Sequence, residues 1–516
     1  MLCLVLSAAG AASDWPRFRG PNGTGVSPDS QPTPTTWSPT ENLKWKTPLP
    51  GEGVSSPIVV GERVFVTTYS GYGFEEGDLV DLKRHLVCLD RQDGKVQWKE
   101  TVEAVLPEDA FAGMGVPSHG YASHTPVSDG ERVYVFFGKS GVIAFSLEGK
   151  KLWDHGVGTD SDPRRWGSAS SPIVVDGLVV ATAGPEQRAI VALDCQTGKE
   201  VWKAEADSLG NVWGTPAVVQ LPDGRKEIVI GAPFEIWGLN AKTGKVRWYC
   251  DAAGEDSFNT SVVVHDDVVF AVEGRSGGSI AVKAGGKGNV SESQVQWSGR
   301  DANRFSTPVY INDRLYFVAN GAVHCLNAKT GEQVFQARLP GARGGRGGGE
   351  GGGRGGFGGM GGADYSSPVA AGDKIYYVMG NGTTHVFQAA DKFESLAANQ
   401  ADDRRRDIRG HAGNQHRRVV PPVEQAPVLR VRRGEVTIIR RSRQRREGEA
   451  SAEPLVCKCS RSTAKTRTES DPDQFRFEAV LRQNLRHHAT VNVRETVVAP
   501  LEPVREARVV HAQQVQ

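Results

Sequence analysis

The sequence predicts an all-β propeller, and three observations carry that prediction. A unit of about 45 residues recurs along the chain. Each unit opens on a small residue, usually followed by proline and an apolar strand. Most units close on an aromatic residue placed just after a tight turn. Composition agrees: 62 glycines among 516 residues suit many turns, and 11 tryptophans suit packing between repeats. A ring of small sheets leaves only short, protected edges, so such a chain can be one sheet-rich domain despite its length. Lysine plus arginine (61) nearly cancels aspartate plus glutamate (60), so no overall field favours nucleic acid or an acidic partner.

Seven segments open the units: Ser55-Ser56-Pro57-Ile58, His124-Thr125-Pro126-Val127, Ser170-Ser171-Pro172-Ile173, Gly214-Thr215-Pro216-Ala217, Asn259-Thr260-Ser261-Val262, Ser306-Thr307-Pro308-Val309 and Ser366-Ser367-Pro368-Val369. Each is followed by a turn and a second strand, as in GERVFVTT, DGLVVATA and NDRLYFVA. A third strand comes next, then a turn rich in glycine, lysine and threonine, then a short strand ending in an aromatic.

That last stretch is the sharpest signal. Ala192, Asp194, Gly198 and Trp202 fit the pattern A-x-D-x-x-x-G-x-x-x-W. Cys88/Asp90/Gly94/Trp98, Gly238/Asn240/Gly244/Trp248 and Cys325/Asn327/Gly331/Phe335 are near copies. Ala144 to Trp153 is one residue shorter, and Trp297 closes a divergent unit. The Asp or Asn is placed to accept bonds from turn amides, glycine allows a positive φ, and the aromatic caps the gap to the next unit. Trp45, Trp98, Trp153, Trp202, Trp248 and Trp297 are therefore the expected docking residues.

These residues make the chain resemble the pyrroloquinoline-quinone-repeat family, which includes BamB-like propellers and the quinoprotein alcohol dehydrogenases. The opening Asp14-Trp15-Pro16-Arg17-Phe18-Arg19-Gly20-Pro21-Asn22-Gly23-Thr24-Gly25 is similar to that of a secreted bacterial subfamily with such repeats. The resemblance covers residues 14–400 and implies an eight-bladed propeller of four-stranded antiparallel blades. Asn42 to Lys46 looks like the end of a repeat without its beginning, so it is expected to give the last blade its outer strand and close the ring.

The flanks read differently. Residues 1–13 (MLCLVLSAAGAAS) resemble the back half of an export signal cleaved near Asp14, which predicts a periplasmic or extracellular protein. Cys3 is not in a lipobox, and no segment is long and apolar enough to span a membrane. The seven cysteines form no disulfide framework, and the lone Cys457-x-Cys459 pair is too little for zinc. Residues 341–362 are a glycine- and arginine-rich insertion, read as a connector, and a smaller one runs from Tyr69 to Asp81.

From 401 to 516 the repeat vanishes and arginine-rich sequence replaces it. Back-translation shifted by one nucleotide can restore a Thr-Pro opener at His411 to Gly413, where the eighth unit is due. A shifted reading frame from about Asp403 to Arg406 is thus one account, with a disrupted last blade. A disordered basic extension is the other. It lacks stacking aromatics and basic amphipathic spacing, so no nucleic-acid partner is expected.

No Walker loop, nucleophile elbow, HExxH or paired-cysteine metal motif occurs, so any site must be assembled from several blades. The loops leading into the innermost strands converge on the central channel. They carry His119 and His124, Arg165 and Trp166, Asn211 and Trp213, Asp256 and Asn259, Asn303 and Arg304, Asp364 and Tyr365. Such a funnel can hold a planar or sugar-like ligand by stacking and charged hydrogen bonds, or simply hydrate and brace a narrow channel. No ligand spacing surrounds the histidines, so no metal site is expected. The BamB resemblance implies a non-catalytic binding or scaffold module that docks an envelope protein. The dehydrogenase resemblance implies pyrroloquinoline quinone with Ca²⁺, with roles for Trp166 or Trp213, Asp256, Asn259 and Arg304, although the vicinal cysteine pair of those enzymes is absent. Carbohydrate or polysaccharide binding at the channel mouth is the third reading. No cofactor is expected under the first and third.

Overall fold

In the computed structural model, residues 13–400 are described except 30–32, 74–76, 114, 253–254, 275–276, 343–365 and 380–381, together with 417–419. The expected export signal, the Asp364/Tyr365 pair and most of the insertion and tail lie outside the described residues. The described residues form six four-stranded sheets, one five-stranded sheet and one two-stranded sheet. The seven larger sheets are blades 1 to 7, spanning 58–103, 127–155, 173–205, 217–251, 263–299, 309–338 and 369–399.

Blade 3 shows the pattern. Its strands Ile173–Val175, Leu178–Ala183, Ala189–Asp194 and Glu200–Glu205 pair antiparallel in chain order. The inner three are apolar on both faces because each sheet is covered by a blade on either side, whereas the outer strand alternates with solvent. Period-two alternation sends Val179, Val191 and Leu193 toward blade 2, and Val180, Ile190 and Ala192 toward blade 4. Core clusters of this kind join every neighbouring pair from blades 1 and 2 to blades 6 and 7.

The turn motif acts as its residues imply. Asp194 Oδ1 accepts from the amides of Gln196 (3.1 Å) and Thr197 (2.8 Å), and Asp90 Oδ1 from Gln92 (2.7 Å). The indole N–H of Trp45, Trp98, Trp153, Trp202 and Trp297 donates to a carbonyl in the next blade's turn, those of Arg91, Leu147, Cys195, Ala241 and Ala328, at 2.8–3.1 Å. Trp248 departs from this. Its N–H donates to buried Glu227 of its own blade at 2.7 Å, because the blade 5 turn is longer and lays Gly288–Asn289 on the outer edge of blade 4 as a fifth strand. Glu227 also accepts from the Gly285 amide in that turn (3.2 Å), so the contact between blades persists through a carboxylate.

The sector between blades 7 and 1 is filled from the N-terminal side. Trp37 and half-buried Leu43 pack on blade 7, and Trp45 and Leu49 pack on blade 1. The closing strand lies later than the sequence implied: it is Thr47–Leu49, not residues 42–46, and it pairs antiparallel with Arg417–Val419. Trp45 docks just ahead of it, where proximity to Gly94 leaves no room for a Cβ. The first insertion is also shorter than expected, since Tyr69 and Ser70 complete a strand.

Candidate binding site

The proline openers place one hydroxyl residue per blade at the top of each inner strand, and these residues interlock. The backbone N–H of Ser56 donates to Thr125 Oγ1, and that of Thr125 to Ser171 Oγ, each at 3.0 Å. Ser171 to Thr215, Thr215 to Ser261, Ser261 to Thr307 and Thr307 to Ser367 continue the series at 2.9–3.0 Å. Proline follows most of these residues because the strand edge at that point needs no amide donor. The outcome is a hydroxyl belt running around the channel from blade 1 to blade 7.

Residues 14–25 lie across the channel just past this belt. Trp15 exchanges backbone hydrogen bonds with Val59, and the Pro16 carbonyl accepts from Ser128. Arg17 Nη2 donates to the Pro216 carbonyl at 3.1 Å. The Arg19 guanidinium donates to the carbonyls of Thr307 (3.3 Å), Pro368 (3.2 Å) and Pro308. The segment thus ties blades 1, 2, 4, 6 and 7 at the axis. Its glycines make room for its own side chains: at Gly25, φ is +78° and a Cβ would come within 2.5 Å of Arg19 Nη2.

Above this floor is a cavity of about 200 Å³. Its floor includes Trp15, Phe18 and Arg19, its wall is the hydroxyl belt, and its mouth carries His119, Trp166, Trp213, Asn259 and Phe305. The Trp166 and Trp213 rings lie 5.2 Å apart at 47°. Trp213 donates its indole N–H to the Gly167 carbonyl (2.7 Å), and His119 Nε2 bonds the Trp166 carbonyl (2.7 Å). Arg304 lies over both Trp166 (5.8 Å) and Phe305 (5.0 Å). Asp256 pairs with Arg164 at 2.6 Å, and Arg164 covers Trp166.

The other residues singled out from sequence sit behind the mouth or away from it. His124 is buried, with Nε2 3.0 Å from Ser168 Oγ, which donates to Glu186 Oε1 at 2.5 Å. Burial holds His124 down at about 3 and lifts Glu186 to about 7. Arg165 reaches outward to Asp109 (3.0 Å), Asn211 is engaged through its carbonyl by Phe258, and Asn303 braces its own loop at Ser306. Asn259 is held by Glu273, whose carboxylate accepts from the Asn259 and Thr260 amides (3.0 and 2.6 Å). Burial raises Glu273 to about 7.

Sequence reasoning missed the belt's interlock, the floor and Phe305. The signal for the belt was present: a hydroxyl before the proline in six of the seven quoted openers, and Ser261 in the seventh.

The donor chemistry of the described lining residues does not fit a Ca²⁺–quinone pair. Among the described residues, none that lines the cavity is a carboxylate, and no cluster of three or more His, Cys, Asp or Glu could hold a metal. The described cysteines, Cys88, Cys195, Cys250 and Cys325, are buried and form no disulfide.

Comparison with known proteins agrees with the fold. The family model of the outer membrane protein assembly factor BamB matches residues 11–219 and 186–394. An outer membrane protein assembly factor BamB of Moranella endobia is 23% identical over 291 residues, 55% of this chain and 64% of its own. A polyvinylalcohol dehydrogenase of Sphingopyxis is 24% identical over 274 residues, 43% of this chain and 36% of its own. The chain therefore spans less than two thirds of the length of these curated relatives. Among solved structures, a europium-containing methanol dehydrogenase superposes with a TM-score of 0.51 at 13% identity, covering 75% of this chain and 85% of its own.

Proposed function

This chain belongs to the family of the outer membrane protein assembly factor BamB, and on that premise we propose that it is a non-catalytic binding propeller of the cell envelope. The observation that carries this reading is the composition of the central cavity. Hydroxyls and aromatic rings line it, one end is filled by the chain's own residues 14–25, and no described lining residue is a carboxylate that would serve as base or Ca²⁺ ligand. The name of the relatives, outer membrane protein assembly factor, supports an envelope protein as partner. No helix among the described residues is long and apolar enough to cross a membrane.

The competing reading is a quinoprotein dehydrogenase, to which the polyvinylalcohol dehydrogenase similarity points. Titration of the purified chain with pyrroloquinoline quinone and Ca²⁺, followed by tryptophan fluorescence, separates the two. The expected result is no saturable quenching and no dye reduction when alcohols or sugars are added. Saturable quenching accompanied by dye reduction would make the protein an enzyme.

A further inference from the structure

We propose that the cavity above residues 14–25 is a binding site for a small oxyanion, a carboxylate, sulfate or phosphate group, either free or carried on a sugar ring. This site is separate from a docking surface for an envelope protein and does not depend on one.

The hydrogen bonds around the belt all run in one direction. Each of Thr125, Ser171, Thr215, Ser261, Thr307 and Ser367 already accepts a backbone N–H from the preceding blade. None of these hydroxyls donates to any described residue, so each retains an uncommitted proton at the cavity wall. The belt therefore presents donors. Nearby carbonyls that might accept from a ligand, those of Pro216, Thr307, Pro308 and Pro368, are occupied by Arg17 and Arg19. A neutral polyol brings as many donors as acceptors and leaves its own O–H groups unmatched here. A carboxylate or sulfate brings only acceptors.

Charge favours the same class of ligand. Arg19 is 4% exposed and Arg17 is 8% exposed, yet neither forms an ion pair with a described carboxylate. The Nε of each is buried without a hydrogen-bond partner. Burial lowers Arg19 to about 9 and Arg17 to about 10, which still leaves both cationic at neutral pH. Buried cations without a counter-charge are costly, and an anion at the belt would offset that cost. Arg19 itself lines the cavity, and Trp166 and Trp213 at the mouth provide a face for the body of a sugar acid.

The test uses the full chain without cofactor, at fixed ionic strength with chloride as the balancing ion. Tryptophan fluorescence and calorimetry follow titration with sulfate, glucuronate and glucose. Saturable binding of sulfate or glucuronate, with no response to glucose, is expected. Sulfate alone would indicate a free oxyanion, and glucuronate alone one borne on a sugar. Arg19→Gln should weaken binding at least about tenfold, the scale of one lost hydrogen bond to a charged group, with Arg19→Lys retaining more of it. If Arg19→Gln does not fold, the wild-type comparison decides alone. An equal response to glucose, or no saturable response to any of the three, overturns the proposal. Because no quinone is present, neither result depends on whether the chain is a dehydrogenase.

Discussion

Trp202 of blade 3 donates its indole N–H to the Ala241 carbonyl of blade 4 at 3.0 Å, and its ring lies so close to Gly244 that a Cβ there would come within 2.3 Å of it. One tryptophan thus joins two blades by a hydrogen bond to Ala241 and by packing on Gly244, a turn residue at φ +69°. The same geometry recurs where Trp45, Trp153 and Trp297 meet Gly94, Gly198 and Gly331. This is why the tryptophan and glycine recur together in the sequence.

Gly244→Ala must both shift the Trp202 ring and strain the turn, and it should destabilise the chain by about 1–3 kcal/mol. Trp202→Phe removes the hydrogen bond and part of the ring packing and should cost about 1–3 kcal/mol, whereas Trp202→Ala opens a larger cavity and should cost about 3–5 kcal/mol. Urea unfolding of the three variants checks the order. Equal losses for Phe and Ala would show that packing contributes little.

The belt predicts a contrast at one position. Thr215→Val keeps the shape but leaves the buried Ser171 N–H without its acceptor, for a loss of about 1–3 kcal/mol. Thr215→Ser keeps the oxygen and should cost about 1 kcal/mol or less. Thermal unfolding midpoints decide between a hydrogen-bonded belt and mere side-chain packing, which would make Ser the more harmful change.

Trp248 should depend on Glu227 rather than on a turn carbonyl. Glu227→Gln retains an acceptor for the Trp248 and Gly285 N–H groups and should be tolerated to within about 1.5 kcal/mol. Glu227→Leu strands both donors and should cost about 3 kcal/mol or more. Indole hydrogen exchange at Trp248 would then accelerate only in the Leu variant.

Buried Glu273 makes stability depend on pH in a definite direction. Its pKa rises from 4.5 to about 7, with burial as the largest cause, so between these values the folded state holds a proton that the unfolded chain has released. The stability this provides is fully present below pH 4.5 and is lost as the pH rises to about 7. Glu273→Gln removes the titration. The stability of wild type relative to this variant should fall by on the order of 1–3 kcal/mol between acid and mildly alkaline solution. His124, whose pKa is lowered by burial, works in the opposite sense, but it is present in both proteins and cancels. A constant difference across pH would mean that Glu273 is not protonated in the fold.

Local sequence was enough for the repeat, the strand order within each blade and the docking tryptophans, because each rests on residues a few positions apart. Asp194, Gly198 and Trp202 act through one turn and one strand, and the proline openers mark where each inner strand begins. Trp248 kept the spacing and changed its partner, since the length of the neighbouring blade's turn lies outside its own motif.

The site was legible only in part. His119, Trp166, Trp213 and Asn259 were named from sequence and do meet in one cavity, because loops into inner strands converge in any propeller. Tertiary structure alone decided that Arg17 and Arg19 cross the axis to carbonyls roughly 200 to 350 positions away, and that residues 33–49 fill the sector beside blade 1. It also turned the hydroxyl of each opener toward the blade behind it. A linear sequence reports which donors and acceptors exist; ring closure brings their ends together and determines which are satisfied and which remain open to a ligand.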